Sequence, residues 1–269
     1  METVKLAAFR DRALNILFLP QCLCCQALVA ETGTLYSDCW QNISFIDGHC
    51  CHACGLPFEF DLGAEALCSA CSQTRPLFNQ ARAVMIYNAA SRDLILAFKH
   101  GDRTHAAAAY AGWLNRTGRN LIQHTDVVLP VPLHWSRLFH LRYNQAALLV
   151  IELGKLTGLP VDTDSLVRDK KTASQGHKSP SKRLSNLRGA FSVSAQSENN
   201  IKDQHVLLID DVLTTGATAA ICAKTLLRAG TRNVDVLTLA RVVLTEPANS
   251  DTSPSDNGLL TDIWLAKSE

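Results

Sequence analysis

The sequence predicts an α/β protein, a parallel sheet flanked by helices, preceded by a small cysteine-rich module. Two patterns carry that expectation. From residue 77 onward, short apolar runs alternate with longer helical stretches, the order that builds parallel strands joined by helices. Nine of the ten cysteines lie before residue 72, a composition shift that sets off an N-terminal unit. The 269 residues fit one large domain or two modest ones, and a hydrophobic content of 47% suffices for a packed core, which excludes global disorder. The expected division is an N-terminal helix and cysteine-rich module over 1–76, a sheet domain over 77–245 and a flexible tail over 246–269. A formal net charge of +1 gives no global case for nucleic-acid binding. No apolar run approaches the roughly 20 residues that span a bilayer. Residues 14–19 are too few, follow Arg10, Asp11 and Arg12, and precede no small-residue cleavage site. No membrane insertion and a cytoplasmic location are therefore expected.

Cysteine spacing separates metal from disulfide. Cys51-x-x-Cys54 and Cys68-x-x-Cys71 form two knuckles about a dozen residues apart, the pattern of a tetrahedral four-thiolate zinc site. A cytoplasmic chain is kept reduced, which favours metal over disulfides. A segment with so little core would draw much of its folding free energy from the ion. A second set is less regular, because Cys22-x-x-Cys25 is followed by Tyr36-x-x-Cys39, with tyrosine where a knuckle wants cysteine. Cys22, Cys25 and Cys39 are candidate ligands there. Cys24, Cys50, Asp38 or His49 could complete the set, or the loop is packed without metal. Cys222 stands apart and reads as a small buried apolar residue.

Past the cysteines, 81–87 read as a strand, and 93–98 and 105–114 as helical, broken at Lys99-His100-Gly101. Residues 127–129 form a short strand stopped by Pro130-Val131-Pro132, where the prolines remove donors and stiffen the turn. A helix over 146–156 precedes Gly158, and 234–239 form a further strand. The most informative stretch is 206–218, Val-Leu-Leu-Ile-Asp-Asp-Val-Leu-Thr-Thr-Gly-Ala-Thr. Its first four residues suit a strand buried on both faces, 214–218 suit a turn, and 217–229 suit a helix stopped by Gly230.

Ligands of open parallel sheets bind beyond the carboxyl ends of the strands, where helix N-termini present unpaired N–H groups. Thr214, Thr215, Gly216, Ala217 and Thr218 could wrap their amides and hydroxyls around one phosphate, Gly216 allowing a conformation or approach that a β-carbon hinders. Asp210 and Asp211 would repel that phosphate, so they are assigned to sugar hydroxyls or a magnesium ion. The implied ligand is a sugar phosphate. The bland alternative is an acid pair that ends a strand and threonines that cap a helix. Neither G-x-x-x-x-G-K-[ST] nor G-x-G-x-x-G occurs in the chain.

This stretch resembles the phosphoribosyl pyrophosphate (PRPP) motif of type I phosphoribosyltransferases. Further runs occur in order: Pro130-Val131-Pro132-Leu133-His134, Tyr143-Asn144-Gln145-Ala146, then Arg168, Thr172, Gln175, Arg183, Asn186 and Gly189-Ala190-Phe191. Together with the cysteine module they resemble the ComF family of competence-associated proteins, which includes the DNA-utilisation protein GntX, over nearly the whole chain. The resemblance implies a zinc ribbon joined to a type I phosphoribosyltransferase-like sheet. It implies that Asp210 and Asp211 hold the ribose hydroxyls, that Thr214 to Thr218 hold the 5-phosphate, and that Pro130, Val131 and Pro132 belong to the pyrophosphate loop. Asn144 and Gln145 join the same binding set. Lys99 fits a family position and could bind phosphate, the alternative being an exposed lysine after a helix. Residues 168–188 carry seven Lys and Arg against one acid, Asp169. They read as a mobile basic loop, either a solvated insertion or a lid over the pyrophosphate, with Arg168, Lys170 and Arg183 as candidate catalytic cations.

The function so implied is binding of PRPP with Mg²⁺ and phosphoribosyl transfer to an unidentified acceptor, in DNA uptake or utilisation. No protein nucleophile is required, since positioning and charge neutralisation would carry the reaction. The alternative is a non-catalytic nucleotide-sensing or adaptor protein that acts through its zinc ribbon on DNA-uptake proteins or single-stranded DNA. Few basic residues and scattered aromatics in the cysteine module argue against direct single-strand binding there. Residues 246–257 read as a linker, and 259–265 as an edge strand or hood element.

Overall fold

A computed structural model of the chain describes residues 20–100, 104–133, 143–169 and 189–243. Helices α1 (Ser37–Gln41) and α2 (Ser69–Gln73) belong to the cysteine-rich module. Then follow β1 (Ala81–Ile86), α3 (Ala89–His100), α4 (Ala106–Thr117), α5 (Arg119–Ile122), β2 (Val127–Pro130) and α6 (Gln145–Thr157). The chain continues through β3 (Leu166–Arg168), β4 (Phe191–Val193), α7 (Glu198–Ile201), β5 (His205–Leu213), α8 (Ala217–Arg228) and β6 (Asn233–Arg241). One all-parallel sheet runs in the order β1-β6-β5-β2, and β3 and β4 form a separate antiparallel pair.

The apolar runs explain the layering. Successive strand residues point to opposite faces, so a run with no polar alternation must be covered on both. In β5, Val206 and Leu208 pack with Ala220, Ala223 and Leu226 of α8. Leu207 and Ile209 pack on the other face with Leu114 of α4 and Leu149 and Leu153 of α6. All four strand residues are fully buried, and each such side chain contributes about 1.5–3 kcal/mol of transfer free energy. The parallel sheet flanked by helices is thus the architecture that the sequence predicts.

Several boundaries differ from the expectation for a physical reason. The strand expected over 206–209 runs on to Leu213, because β6 keeps pairing with β5 beyond the apolar run, so Asp210 and Asp211 lie within the strand. The helix expected over 93–98 starts at Ala89 and takes in Lys99 and His100, so the expected break does not occur at those two residues. Arg168, expected in the basic loop, closes β3, where it is registered opposite Phe191. Lys170, Arg183, His134, most of the basic loop, residues 14–19 and the stretches 246–257 and 259–265 lie outside the described residues.

The cysteine-rich module covers the β1 edge of the sheet. Ile46 N–H donates to Val84 O at 2.9 Å, Ile86 N–H to Ser44 O at 2.8 Å and Ala81 N–H to Ala53 O at 2.8 Å. An edge strand left bare would be a template for unwanted pairing, and these bonds occupy it. Aromatic rings continue the contact inward. Phe45 lies 4.5 Å from Trp40 and 5.7 Å from Trp113, and Tyr110 lies 5.2 Å from both Trp113 and Phe98, centroid to centroid. Among the described residues no helix is long and apolar enough to cross a membrane.

Gly55 lies against the start of β1. Its φ is +67°, and a Cβ there would lie 2.5 Å from the Ala81 carbonyl oxygen. Gly55→Ala is expected to destabilise the protein by about 1–3 kcal/mol, read as a lower melting temperature in calorimetry. An unchanged melting temperature would mean that this contact is not tight.

Candidate functional site

The site arises where β5 outlasts one neighbour. β2 ends at Pro130 opposite Ile209, whereas β6 stays registered with β5 as far as Leu213. The chain after β2 turns away with one last bond, Val131 N–H to Ile209 O at 2.8 Å. Among the described residues, β5 from Asp210 onward has no strand partner on that side, and Asp210 and Asp211 stand half-buried in a notch at the carboxyl end of the sheet. Pro130, Val131 and Pro132 are buried along its rim.

Residues 214–216 turn from the strand into α8. Gly216 adopts a left-handed conformation, φ +81°, at the N-cap, where a β-carbon would be strained. A glycine N-cap brings no side-chain oxygen to the first-turn amides. Thr215 Oγ1 reaches forward and accepts from Ala217 N–H at 3.4 Å. Thr214 is exposed, Thr215 and Thr218 are half-buried, and Ala217 is buried. The 12-residue helix thus directs its positive end to the same notch as the acid pair.

Two cations face the acids. Lys99, near the end of α3, pairs with Asp211 through Nζ and Oδ2 at 2.5 Å. What holds Lys99 there is the Tyr143-Asn144-Gln145 run. Tyr143 Oη donates to Phe98 O at 2.9 Å and Gln145 Nε2 to Lys99 O at 3.3 Å, satisfying carbonyls at the end of α3. Asn144 Oδ1 accepts from Ala146 N–H at 3.1 Å as the N-cap of α6, while its Nδ2 donates to Val131 O at 3.3 Å. Gln145 is 3% exposed, so Asn144 and Gln145 meet the notch through the backbone they hold. Arg168 is the second cation. Its guanidinium carbon lies 5.3 Å from the centroid of the Phe191 ring, a cation–π contact across the β3–β4 pair.

Electrostatics in the notch follow from this packing. Burial pushes the Asp210 carboxyl up to about 7, and the neighbouring Asp211 charge pushes in the same direction. The Asp211 N–H, which donates to Asp210 Oδ1 at 2.9 Å, draws it back down, as do Lys99 and Arg168. Cys222, fully buried on α8, has its thiol pushed up by burial and by Asp210, which keeps it neutral. A half-buried carboxylate pair at a strand end is a natural receiver for hydroxyl donors or a divalent ion.

Seven of the ten cysteines form two clusters, and none of the ten is in a disulfide. The Sγ atoms of Cys51, Cys54, Cys68 and Cys71 all lie within 4.8 Å of one another and are buried, with Cys54 and Cys68 at 3.7 Å. Cys68 N–H donates to Cys51 Sγ at 3.3 Å, and Arg241 Nη2, from the end of β6, donates to Cys54 Sγ at 3.3 Å. Such donors stabilise thiolate and suit a zinc tetrahedron. Cys22, Cys25 and Cys39 bring their Sγ atoms equally close. Arg241 gave no sign of this contact in the sequence, because it lies 187 residues from Cys54.

A cavity of about 650 Å³ lies at the other, amino-terminal end of the sheet, walled in part by His52, Arg82, His124, His205 and Asp235. Its floor is a buried pair, His205 Nε2 to Asp235 Oδ2 at 2.8 Å. It shares no residue with the notch, and no spacing in the sequence pointed to it.

The double zinc ribbon domain matches residues 13–74. The chain is 34% identical over 200 residues to the DNA utilization protein YhgH of Salmonella typhi, covering 72% of this chain and 84% of that protein. It is 30% identical over 218 residues to competence protein F of Haemophilus influenzae, covering 79% and 92%. Among solved structures it is similar to the orotate phosphoribosyltransferase of Aeropyrum pernix, with 16% identity and a TM-score of 0.32 over 60% of this chain and 68% of that one. That distant similarity concerns the fold alone. Identity at the level of the first two relatives, sustained over most of both chains, means that this protein belongs to the ComF family of competence protein F and DNA utilization protein YhgH.

Proposed function

We propose that the protein binds PRPP with Mg²⁺ in the notch at the carboxyl end of β5 and transfers its phosphoribosyl group to a nucleophilic acceptor. The observation that carries this reading is the acid pair standing where β5 loses β2, one short turn before the glycine-capped N-terminus of α8. In this reading Asp210 and Asp211 receive the ribose hydroxyls, and Thr214, Thr215, Gly216, Ala217 and Thr218 receive the 5-phosphate. Pro130, Val131 and Pro132 border the pyrophosphate, with Lys99, Arg168, Lys170 and Arg183 neutralising its charge. The metal supplies further charge neutralisation on the leaving pyrophosphate. Lys99 exchanges its bond to Asp211 for the ligand, which frees that carboxylate for a hydroxyl.

The relatives' names, competence protein and DNA utilization protein, support placing this activity in the uptake or use of DNA. We assign Cys51, Cys54, Cys68 and Cys71 to one structural zinc and Cys22, Cys25 and Cys39 to a second.

Calorimetric titration with PRPP and Mg²⁺ is expected to show binding that weakens at least about tenfold in Asp210→Asn/Asp211→Asn, because two charge-assisted hydrogen bonds are lost. Equal affinity in the variant would remove the ribose role from these acids. The same titration against pH is expected to tighten as pH rises through about 7, where Asp210 ionises. Stability of the ligand-free protein should change the other way. Folded Asp210 keeps a proton that the unfolded chain has lost, so its contribution is full below about 4 and disappears as pH rises to about 7. Asp210→Asn should flatten that part of the melting-temperature profile, and a profile that keeps its slope would refute the assignment. Cys51→Ser/Cys54→Ser is expected to lose about one zinc per chain and the fold of the module, read by elemental analysis and circular dichroism. Unchanged metal content would place the ion elsewhere.

A further inference from the structure

The two cysteine clusters repeat one local design, bond for bond. Cys22 N–H donates to Ala27 O at 2.7 Å, and Cys51 N–H to Leu56 O at 2.7 Å. Gln26 N–H donates to Cys22 O at 3.2 Å, and Gly55 N–H to Cys51 O at 2.9 Å, with φ of +66° and +67° at Gln26 and Gly55. Tyr36 N–H donates to Cys22 Sγ at 3.2 Å, just as Cys68 N–H donates to Cys51 Sγ at 3.3 Å. Tyr36 is the N-cap of α1 and Cys68 the N-cap of α2, both extended, and Cys39 and Cys71 each lie three residues further on. Tyr36 therefore stands where the complete cluster has its third thiolate. Gln26 takes the left-handed conformation that glycine takes in the complete cluster, so the knuckle turn is kept here without a glycine.

The two copies differ in closure. All four sulfurs of the complete cluster belong to buried residues, whereas Cys25 is exposed, Cys39 is half-buried and Tyr36 is 45% exposed. Among the described residues no fourth Cys, His, Asp or Glu brings a ligand atom within 4.8 Å of all three sulfurs of Cys22, Cys25 and Cys39 at once; Cys24 reaches Cys39 through a side-chain hydrogen bond but lies outside the mutual cluster. His49, one sequence candidate, is turned to Asp61 at 3.2 Å. Closed zinc sites with four protein ligands are structural, and sites with three protein ligands carry water or an incoming ligand in the fourth position.

We infer that the first ribbon binds zinc through three thiolates, Cys22, Cys25 and Cys39, with the fourth position held by a water that an external thiolate can displace. The inference rests on the assignment of zinc to that cluster. It makes the site exchangeable, in contrast to the closed one, and opens the metal to a soft donor such as a cysteine thiolate from solution.

Cobalt substitution of the full chain tests it. About two Co²⁺ per chain are expected, one with a four-thiolate spectrum that is indifferent to added thiol and one whose visible bands shift when 2-mercaptoethanol is added. Tyr36→Cys is expected to convert the second spectrum to the four-thiolate type and abolish the response to thiol. Zinc release to a chelator should be biphasic in the parent and lose its fast phase in the same variant. Cys24→Ser, Cys50→Ser and Tyr36→Phe should leave the thiol-sensitive bands unchanged; a change in any of them would identify a ligand from the chain itself and overturn the open position. One bound metal in the parent would also overturn it, while no bound metal at all would overturn the zinc assignment on which it rests. A fold check by circular dichroism and bound four-thiolate cobalt separates these outcomes from simple misfolding.

Discussion

A parallel strand buried on both faces must stay apolar while it has neighbours on both sides, and it is released from that rule where one neighbour ends. β5 meets this limit at Ile209, the last residue registered with β2. The next two residues are the acids, still registered or flanked on the β6 side and, among the described residues, without a strand partner on the other. Everything in the candidate site is arranged around that difference in strand length. The proline-containing turn after β2 forms one rim, the left-handed Gly216 brings α8 in at the end, and α3 supplies Lys99 from the third direction.

The notch is held mostly by groups that do not face it. Tyr143, Asn144 and Gln145 spend their polar atoms on the carbonyls of Phe98, Lys99 and Val131. A helix end is a weak place to anchor a cation, because its last carbonyls lack partners. Donors from outside remove that weakness, and the lysine can then hold a carboxylate in an otherwise acid-repelling pocket. Arg168 is restrained in a different way, by the Phe191 ring across a two-stranded ribbon. The result is an Asp210 carboxyl that titrates at about 7, with burial and the neighbouring Asp211 charge pushing it up and two cations pulling it down.

The cysteine-rich module is joined to this machinery by backbone and by rings. Its segments pair with β1, and Trp40 and Phe45 lead through Trp113 and Tyr110 to Phe98, the residue before Lys99. Arg241 adds a bond from the end of β6 to a ribbon sulfur. A module whose own buried cluster contains little beyond Cys51, Ala53, Cys54, Cys68 and Cys71 relies on metal chemistry and on the sheet for its order.

By itself the sequence determined the class of fold and the chemistry on offer. Uninterrupted apolar runs such as 206–209 admit only strands covered on both faces, paired C-x-x-C knuckles admit few readings besides zinc, and Asp-Asp followed by Thr-Thr-Gly-Ala-Thr reads as a candidate ligand turn. These are local signals, set by neighbours a few residues apart. The tertiary structure decided what depends on distant partners. It ran the strand through the acids, because pairing with β6 was unaffected by their polarity. It moved Arg168 from a loop to a strand end, because its partner Phe191 is more than twenty residues away across the basic stretch. It paired Lys99 with Asp211 and gave Gln145 to a backbone carbonyl, and it set Tyr36 in the place of a thiolate. Each of these is a long-range choice between competing contacts, and only the packed chain fixes the distances on which such choices turn.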